Sequence, residues 1–274
     1  MIIDGTAIAE KVKEEIKKEI AEKKLDLGLA VLLVGEDPAS QIYVKYKEKA
    51  CEVCGIHSKK IVLPENTTKE EIIKEINKLN KDKKIHGILV QLPLPKHLNE
   101  FEILEHIPPE KDVDGFTSTN TGRLLLGEKP FAVSCTPQGI MHLIKSTGVE
   151  IKGKQAVVVG RSKIVGKPVA LLLLQEHATV TIAHSRTKDL DKVCAQADIL
   201  VAAVGKAKLI KKEFVKKGAV VIDVGMNRAE GKLCGDVDFD EVKDIAGWIT
   251  PVPKGVGPMT IAYLLKNVLD LSKK

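Results

Sequence analysis

The chain has 274 residues, more than one compact core usually holds, so one large domain or two smaller ones are expected. Hydrophobic residues make up 44% and charged residues 29%, the balance of a globular protein, and no apolar run reaches the length of a bilayer span. The net charge of +6 comes from 43 basic and 37 acidic residues spread along the chain, with only 3% aromatics, which argues against a nucleic-acid-binding face.

The opening residues, MIIDGTAIAEKVKEE, lack the basic start and apolar core of a signal peptide and the Arg-rich character of a transit peptide, so a cytoplasmic location is expected. Ile8, Val12, Ile16 and Ile20 recur at helical spacing over residues 6–23. Leu27 to Gly35 is a continuously apolar run closed by glycine, the pattern of a buried strand. A second helix enters through Asp37-Pro38 and stops at Gly55. Ser58 to Leu63 reads as the next strand, and Thr67 with Glu70 forms a capping box for a helix through about Leu79. Ile85 to Leu92 is another buried strand, running into Pro93-Leu94-Pro95.

The alternation resumes after Thr136-Pro137, where Thr suits an N-cap and Pro the first helical position. Further strands are expected at Gln155 to Gly160, Thr179 to Ala183, Ile199 to Val204 and Ala219 to Val224. Apolar strands separated by helices imply parallel sheets covered on both faces, hence two α/β domains with a boundary near residues 135 to 150. By sequence pattern alone, the last helix, Thr260 to Leu271, fits either domain.

The five cysteines are an odd number, and Cys51 and Cys54 form the only close pair. That pair ends a helix rather than opening one, and no second pair or spaced histidines complete a zinc site, so the cysteines read as structural and no metal is expected. Of the basic residues only Arg123, Arg161, Arg186 and Arg228 are arginine, against 39 lysines. In such a chain an arginine marks a place where a planar fork of donors is useful.

Two of those arginines frame a nucleotide-binding signature. AVVVGRSKIVGKP is a strand, a turn holding Gly160, Ser162 and Gly166, and a helix start, where backbone amides and the helix dipole favour a pyrophosphate. The following strand ends in His184-Ser185-Arg186-Thr187, with no acid to hold a free ribose hydroxyl. A cation with hydroxyl donors suits a 2′-phosphate, so NADP is expected over NAD, with Arg161 as a second arm.

In the first half, Tyr43 and Lys47 stand four apart on one helix face, a pair that chance produces often in so lysine-rich a chain. Its context is what matters. Gln91 ends a buried strand, where α/β proteins bind ligands, and Asp112 and Asp114 lie in the proline- and glycine-fixed loop PPEKDVDGF. Asp112 could equally cap a turn. TPVPKGVGPMT, near the C-terminus, is rigid and apolar, suited to walling a flat ligand.

Taken together, VGEDPASQIYVKYKEKACEVCGI, GILVQLPLP, PPEKDVDGF, CTPQGI, VVVGRSKIVGKP, AVVIDVGMNR, GDVDF and ITPVPKGVGPMT resemble the bifunctional methylenetetrahydrofolate dehydrogenase/cyclohydrolase family over nearly the whole chain. The resemblance implies a folate-binding catalytic domain over 1–138, rejoined by 258–274, and a Rossmann NADP-binding domain over 139–257. It implies oxidation of a methylene-bridged tetrahydrofolate with NADP and hydrolysis of the product, in a homodimer. Lys47 would be the central catalytic group, Tyr43 would stack on the folate, Gln91 would orient Lys47, and Asp114 would bind the pterin edge. Leu92, Pro253 and Gly257 would complete the substrate site. Gly160, Arg161, Ser162, Gly166, Ser185, Arg186 and Met226 would hold NADP.

Two positions depart from the family pattern. Met226 stands where isoleucine is usual, and Lys254 where glycine is usual, at a cost in backbone freedom if that position needs positive φ. Two other readings compete with the family's. A short-chain-type dehydrogenase would also use a Tyr43/Lys47 pair, but there the pair follows the dinucleotide turn, whereas Tyr43 precedes Gly160. A non-catalytic NADP-binding sensor would need no lysine base beside Gln91 and Asp114.

Overall fold

The computed structural model describes residues 1–229 and 231–273. The chain forms two compact α/β units, one of Glu10–Cys135 with Ile261–Lys274, the other of Met1–Ala9 with Thr136–Thr260. The last helix thus rejoins the first unit, as the family resemblance implied; Lys274, the end of that segment, lies outside the described residues.

Helix α1 (Gly5–Lys23) leads into β1 (Leu27–Val34), α2 (Pro38–Cys54), β2 (Ile56–Leu63), α3 (Lys69–Lys81) and β3 (Gly87–Val90), followed by the short helices α4 (Glu100–Leu104) and α5 (Ser118–Leu125). The three strands form a parallel sheet in the order β2-β1-β3. All eight residues of β1 are buried, so its unbroken apolar run reflects cover on both faces. Ile72, Ile76 and Leu79 of α3 pack with Ala30, Leu32 and Ile88 of the sheet in one core cluster.

The capping box of α3 is displaced by one residue from the expected position. Thr68, not Thr67, is the N-cap, and Glu71, not Glu70, closes the box. Consecutive threonines and glutamates offer two registers; the observed one leaves Thr67 buried, its carbonyl 3.1 Å from Nε2 of His97. Likewise the next helix, α6 (Cys135–Ser146), begins before Thr136, whose hydroxyl instead lies 2.9 Å from that of Thr260.

The second unit continues with β4 (Gln155–Val159), α7 (Gly166–Gln175), β5 (Thr179–Ala183), α8 (Leu190–Cys194), β6 (Ile199–Ala202), β7 (Val220–Asp223), the antiparallel pair β8 (Asn227–Ala229) and β9 (Lys232–Cys234), α9 (Phe239–Val242), β10 (Trp248–Ile249) and α10 (Val256–Leu271). Its main sheet is wholly parallel, in the order β5-β4-β6-β7-β10. Crossovers run to opposite sides from β4, which creates a switch point between the carboxyl ends of β4 and β6, the place where such sheets bind ligands. The first residues of the chain extend this sheet: the Ile3 amide donates to the Ile249 carbonyl (2.8 Å), and the Ile249 amide to the Met1 carbonyl (2.9 Å).

Lys254 has φ +85, a backbone region that disfavours side chains. Its carbonyl accepts from the Thr6 amide at 3.2 Å, so the strained geometry is held from outside. Lys254→Gly relieves roughly 1–2 kcal/mol of backbone strain and returns roughly 0.5–1 kcal/mol through a floppier unfolded chain. The expected result is a modest rise in the urea midpoint with an unchanged slope, and a lowered midpoint would show the lysine side chain to be stabilising.

Candidate active site

The first unit gathers four polar side chains from a helix, a strand end and a loop. Asp37 caps α2, its carboxylate accepting from the Ser40 amide at 2.7 Å, and Pro38 sets the first turn. The inward stripe of α2 includes Val44, Ala50, Cys51 and Cys54. Lys47, three residues after Val44 and four before Cys51, falls on that stripe, so a cation takes a place where an apolar residue would be expected. It is half-buried, while Tyr43, one turn earlier, is exposed.

The Lys47 amine donates to Oε1 of Gln91 at 2.9 Å. Gln91 is buried, and its amide nitrogen donates to the Leu92 carbonyl at 2.7 Å, which turns the oxygen toward the lysine. Its own backbone amide still bonds to the Leu32 carbonyl, extending the sheet one residue beyond β3. The chain then leaves through the cis Leu92-Pro93 bond. Position and orientation of Gln91 therefore come from the strand end itself.

Asp112 and Asp114, two residues apart in the same loop, have different tasks. Asp112 is buried and accepts from the Thr117 amide (2.8 Å) and from Nδ2 of Asn120 (3.0 Å), so it holds the loop. Asn120 ties the turn further, donating to the Pro109 carbonyl and accepting from the amides of Phe131 and Ala132. Asp114 makes no such backbone bonds. Burial pushes its carboxyl up to about 6, the nearby Lys47 charge offsets part of that rise, and Asp112 adds to it. The Cys135 thiol lies 3.7 Å from Oδ1 of Asp114. An amine, an oriented amide and a carboxyl near its titration point are the equipment of acid–base chemistry on a polar heterocycle.

Cys51 and Cys54 take no part in this group. Both are free, buried thiols, and burial pushes Cys51 up to about 12, so neither is a ready thiolate.

In the second unit, Gly160 follows β4 with φ +135, and a Cβ there would strike the Ala203 carbonyl beyond β6. A Cβ on Gly166 would strike the Gly160 carbonyl. These two glycines let the turn fold tightly onto the start of α7 at the switch point. Ser162 lies in that turn, its hydroxyl accepting from the amides of Val165 (3.1 Å) and Gly166 (3.2 Å). Arg161 and Ser162 are exposed. At the end of β5, the outermost strand, the Arg186 amide donates to Nδ1 of His184 and the His184 amide to the Thr187 hydroxyl, leaving Ser185 and Arg186 exposed on a tight turn. Exposed guanidinium and hydroxyl groups beside a backbone-lined turn fit the phosphates of a dinucleotide. Met226 is exposed after β7, and Pro253, joined to Val252 by a cis bond, and Gly257 belong to this same unit.

Two buried carboxylates that the sequence reading passed over organise the loops beside that turn. Asp236 accepts from the amides of Val204 (2.7 Å), Gly205 (3.0 Å) and Lys206 (2.8 Å) and from Nδ2 of Asn227 (2.9 Å). Asp223 accepts from the amides of Gly225 (3.0 Å), Asp236 (2.8 Å) and Val237 (3.0 Å). The claim of Asp236 on the Val204 amide explains why β6 stops at Ala202, short of the expected Val204. The one available signal was the spacing of glycine and aspartate in DVGMNR and GDVDF: a Cβ on Gly225 would hit Asp236, and one on Gly235 would hit Asp223.

Known proteins resemble the chain over nearly its whole length. Residues 3–114 match the family model for the tetrahydrofolate dehydrogenase/cyclohydrolase catalytic domain, and residues 134–274 that for its NAD(P)-binding domain. The chain is 57% identical to the "Bifunctional protein FolD" of Moorella thermoacetica, with 100% of this chain and 99% of that protein covered. The Campylobacter jejuni bifunctional FolD structure superposes with a TM-score of 0.97 at 49% identity, covering 100% of this chain and 98% of that one. The Trypanosoma brucei FolD structure, complexed with NADP cofactor and inhibitor, gives 0.94 at 41% identity over 100% and 97%.

Proposed function

Because the chain belongs to the tetrahydrofolate dehydrogenase/cyclohydrolase family, we infer that it oxidises 5,10-methylenetetrahydrofolate with NADP, hydrolyses the 5,10-methenyl product to 10-formyltetrahydrofolate, and uses Lys47 for the chemistry. The observation that carries the role of Lys47 is its 2.9 Å bond to a buried, independently anchored Gln91 beside Asp114. Tyr43, exposed one turn away, offers a ring for the folate to stack on. Asp114 takes the N–H edge of the pterin as a charged acceptor, with Leu92 as apolar neighbour, and the family resemblance also assigns Pro253 and Gly257 to substrate binding.

NADP, when bound, accepts a hydride from the methylene carbon. Gly160 and Gly166 would give it a close approach to backbone amides, Arg161 and Ser162 would hold its pyrophosphate, Ser185 and Arg186 its 2′-phosphate, and Met226 would lie against it. The oxidised substrate is a cation delocalised over two nitrogens. Water attacking its bridging carbon must lose a proton, and Lys47 stands ready to take it. Gln91 holds the Lys47 amine in place through its 2.9 Å bond.

The direct test mixes protein, NADP and methylenetetrahydrofolate and follows NADPH and methenyl absorbance. NADPH formation followed by decay of the methenyl signal is expected, and its failure in active-folded protein would end this reading. Arg186→Ala removes charge-assisted bonds of about 1.5–3 kcal/mol, so the NADP KM is expected to rise about ten- to a hundredfold while the NAD KM hardly moves. An unchanged NADP KM would assign the 2′-phosphate elsewhere. We also propose that the enzyme works in the cytoplasm as a homodimer, supplying a formyl donor of the kind purine biosynthesis consumes. The family resemblance supports this, and a solution mass near twice the 29.9 kDa protomer is the expected result.

A further inference from the structure

Asn267 lies in α10, on the segment that rejoins the first unit, and it is 4% exposed. A buried carboxamide needs partners, and the Nδ2 of Asn267 finds them in the walls of one loop system. Its Nδ2 donates to the Val113 carbonyl at 2.8 Å and to the Val133 carbonyl at 2.9 Å, residues 154 and 134 positions away. The same nitrogen lies 3.6 Å from the Cys135 sulfur. Cys135 is itself buried, with its thiol 3.7 Å from the Val113 carbonyl and 3.7 Å from Oδ1 of Asp114.

This arrangement has a direction. Val113 immediately precedes Asp114, so the bond from Asn267 pins the peptide that carries the carboxyl. Val133 immediately precedes Ser134 and Cys135, so the second bond pins the segment whose thiol meets that carboxyl. Gly115, on the other side of Asp114, has φ +65, and a Cβ there would press on Val133 and Ser134, so the two segments also touch directly. Asp112 is already anchored through Thr117 and Asn120. Asp114, which makes no backbone bond of its own, is held through its neighbours.

We propose that Asn267 is a positioning residue for the reaction: with Cys135 it fixes the Asp114 carboxyl in the orientation that receives the pterin. The proposal rests on the reading that Asp114 binds substrate. It gives the terminal helix a part in folate binding beyond packing, since Leu264, Leu265 and Val268 of the same helix already supply its buried apolar face.

The test is a double-mutant cycle on steady-state kinetics of the holoenzyme, with Asn267→Leu, Asp114→Asn and the pair. Asn267→Leu is near-isosteric but leaves the Val113 and Val133 carbonyls without this donor. It is expected to raise the folate KM about tenfold, as misplacing a binding group does, with kcat changed less and the NADP KM within about twofold of wild type. The acid limb of kcat/KM should also move, because the groups facing Asp114 are Lys47 from α2, Asp112 from its own loop and Cys135 from α6, and two of those segments lose their tie. In the double variant the Asn267 change should add nothing to Asp114→Asn. A merely structural role would multiply the two losses and raise the NADP KM as well, and that outcome overturns the proposal, as does an unchanged folate KM in Asn267→Leu. If Asn267→Leu does not accumulate folded, Cys135→Ala takes its place in the same cycle with the same expected non-additivity. Wild-type folate KM in Asp114→Asn alone would instead overturn the substrate-binding reading of Asp114, a distinct result.

Discussion

Lys47→Met is expected to lower cyclohydrolase turnover by about a hundredfold to ten-thousandfold, the usual span for removing a proton acceptor from a transition state. The methionine keeps an unbranched stem of similar length, so the packing of a half-buried side chain on α2 is largely retained. What disappears is the amine. Gln91 then loses the donor to its Oε1, a cost of about 1 kcal/mol in stability that the remaining bond to Leu92 does not offset. The dehydrogenase step should suffer less, about tenfold, because hydride departure needs orientation and field but no proton acceptor. Methenyl decay and NADPH formation, followed separately in one cuvette, distinguish the two losses. Cyclohydrolase turnover equal to wild type in Lys47→Met would remove the amine from the mechanism.

Asp114→Asn should raise the folate KM about a hundredfold in both reactions, since a charge-assisted acceptor is replaced by a neutral group that presents N–H donors to N–H donors. The pH profile carries the sign. With the carboxyl at about 6 in the folded protein, the ionised form dominates above pH 7, and kcat/KM should fall as pH drops through 6. In Asp114→Asn the residual activity should lack that limb. Stability runs the other way. The unfolded chain ionises this group near its ordinary 3.8 while the folded chain holds its proton up to about 6, so Asp114 costs stability as pH rises between those values. Chemical denaturation at pH 7 should find the asparagine variant more stable, by at most about 3 kcal/mol. Reduced stability at pH 7, with an intact acid limb, would mean that burial does not set the behaviour of this carboxyl.

Much of this site could be read before any coordinates. The unbroken apolar run of Leu27 to Val34 announced a strand covered on both faces, because such runs have no solvent side to alternate toward. Lys47 could be marked because its spacing set it on one helix face with Tyr43, and Gln91 because a polar side chain ended a buried strand. The turn from Gly160 to Gly166 follows from local backbone sterics, which adjacent residues determine among themselves. The motifs carrying the family resemblance are of this local kind, and each keeps its pattern in a short stretch of chain.

What the tertiary structure alone decided depends on partners far apart in the chain. Two adjacent threonines allowed two capping registers, and the folded chain takes the one with Thr68 and Glu71. Nothing in GDVDF said that Asp236 would collect amides from residues 204–206, or that Met1 to Ile3 would line up with Ile249 in the second unit. The two carbonyls that hold Asn267 lie more than a hundred residues upstream, at positions chosen by the fold. A hydrogen bond is a requirement of distance and angle in space, whereas periodicity reports only which side of an element faces the core. Local sterics and burial are therefore written along the chain, and the wiring among buried polar groups appears only when the chain has closed on itself.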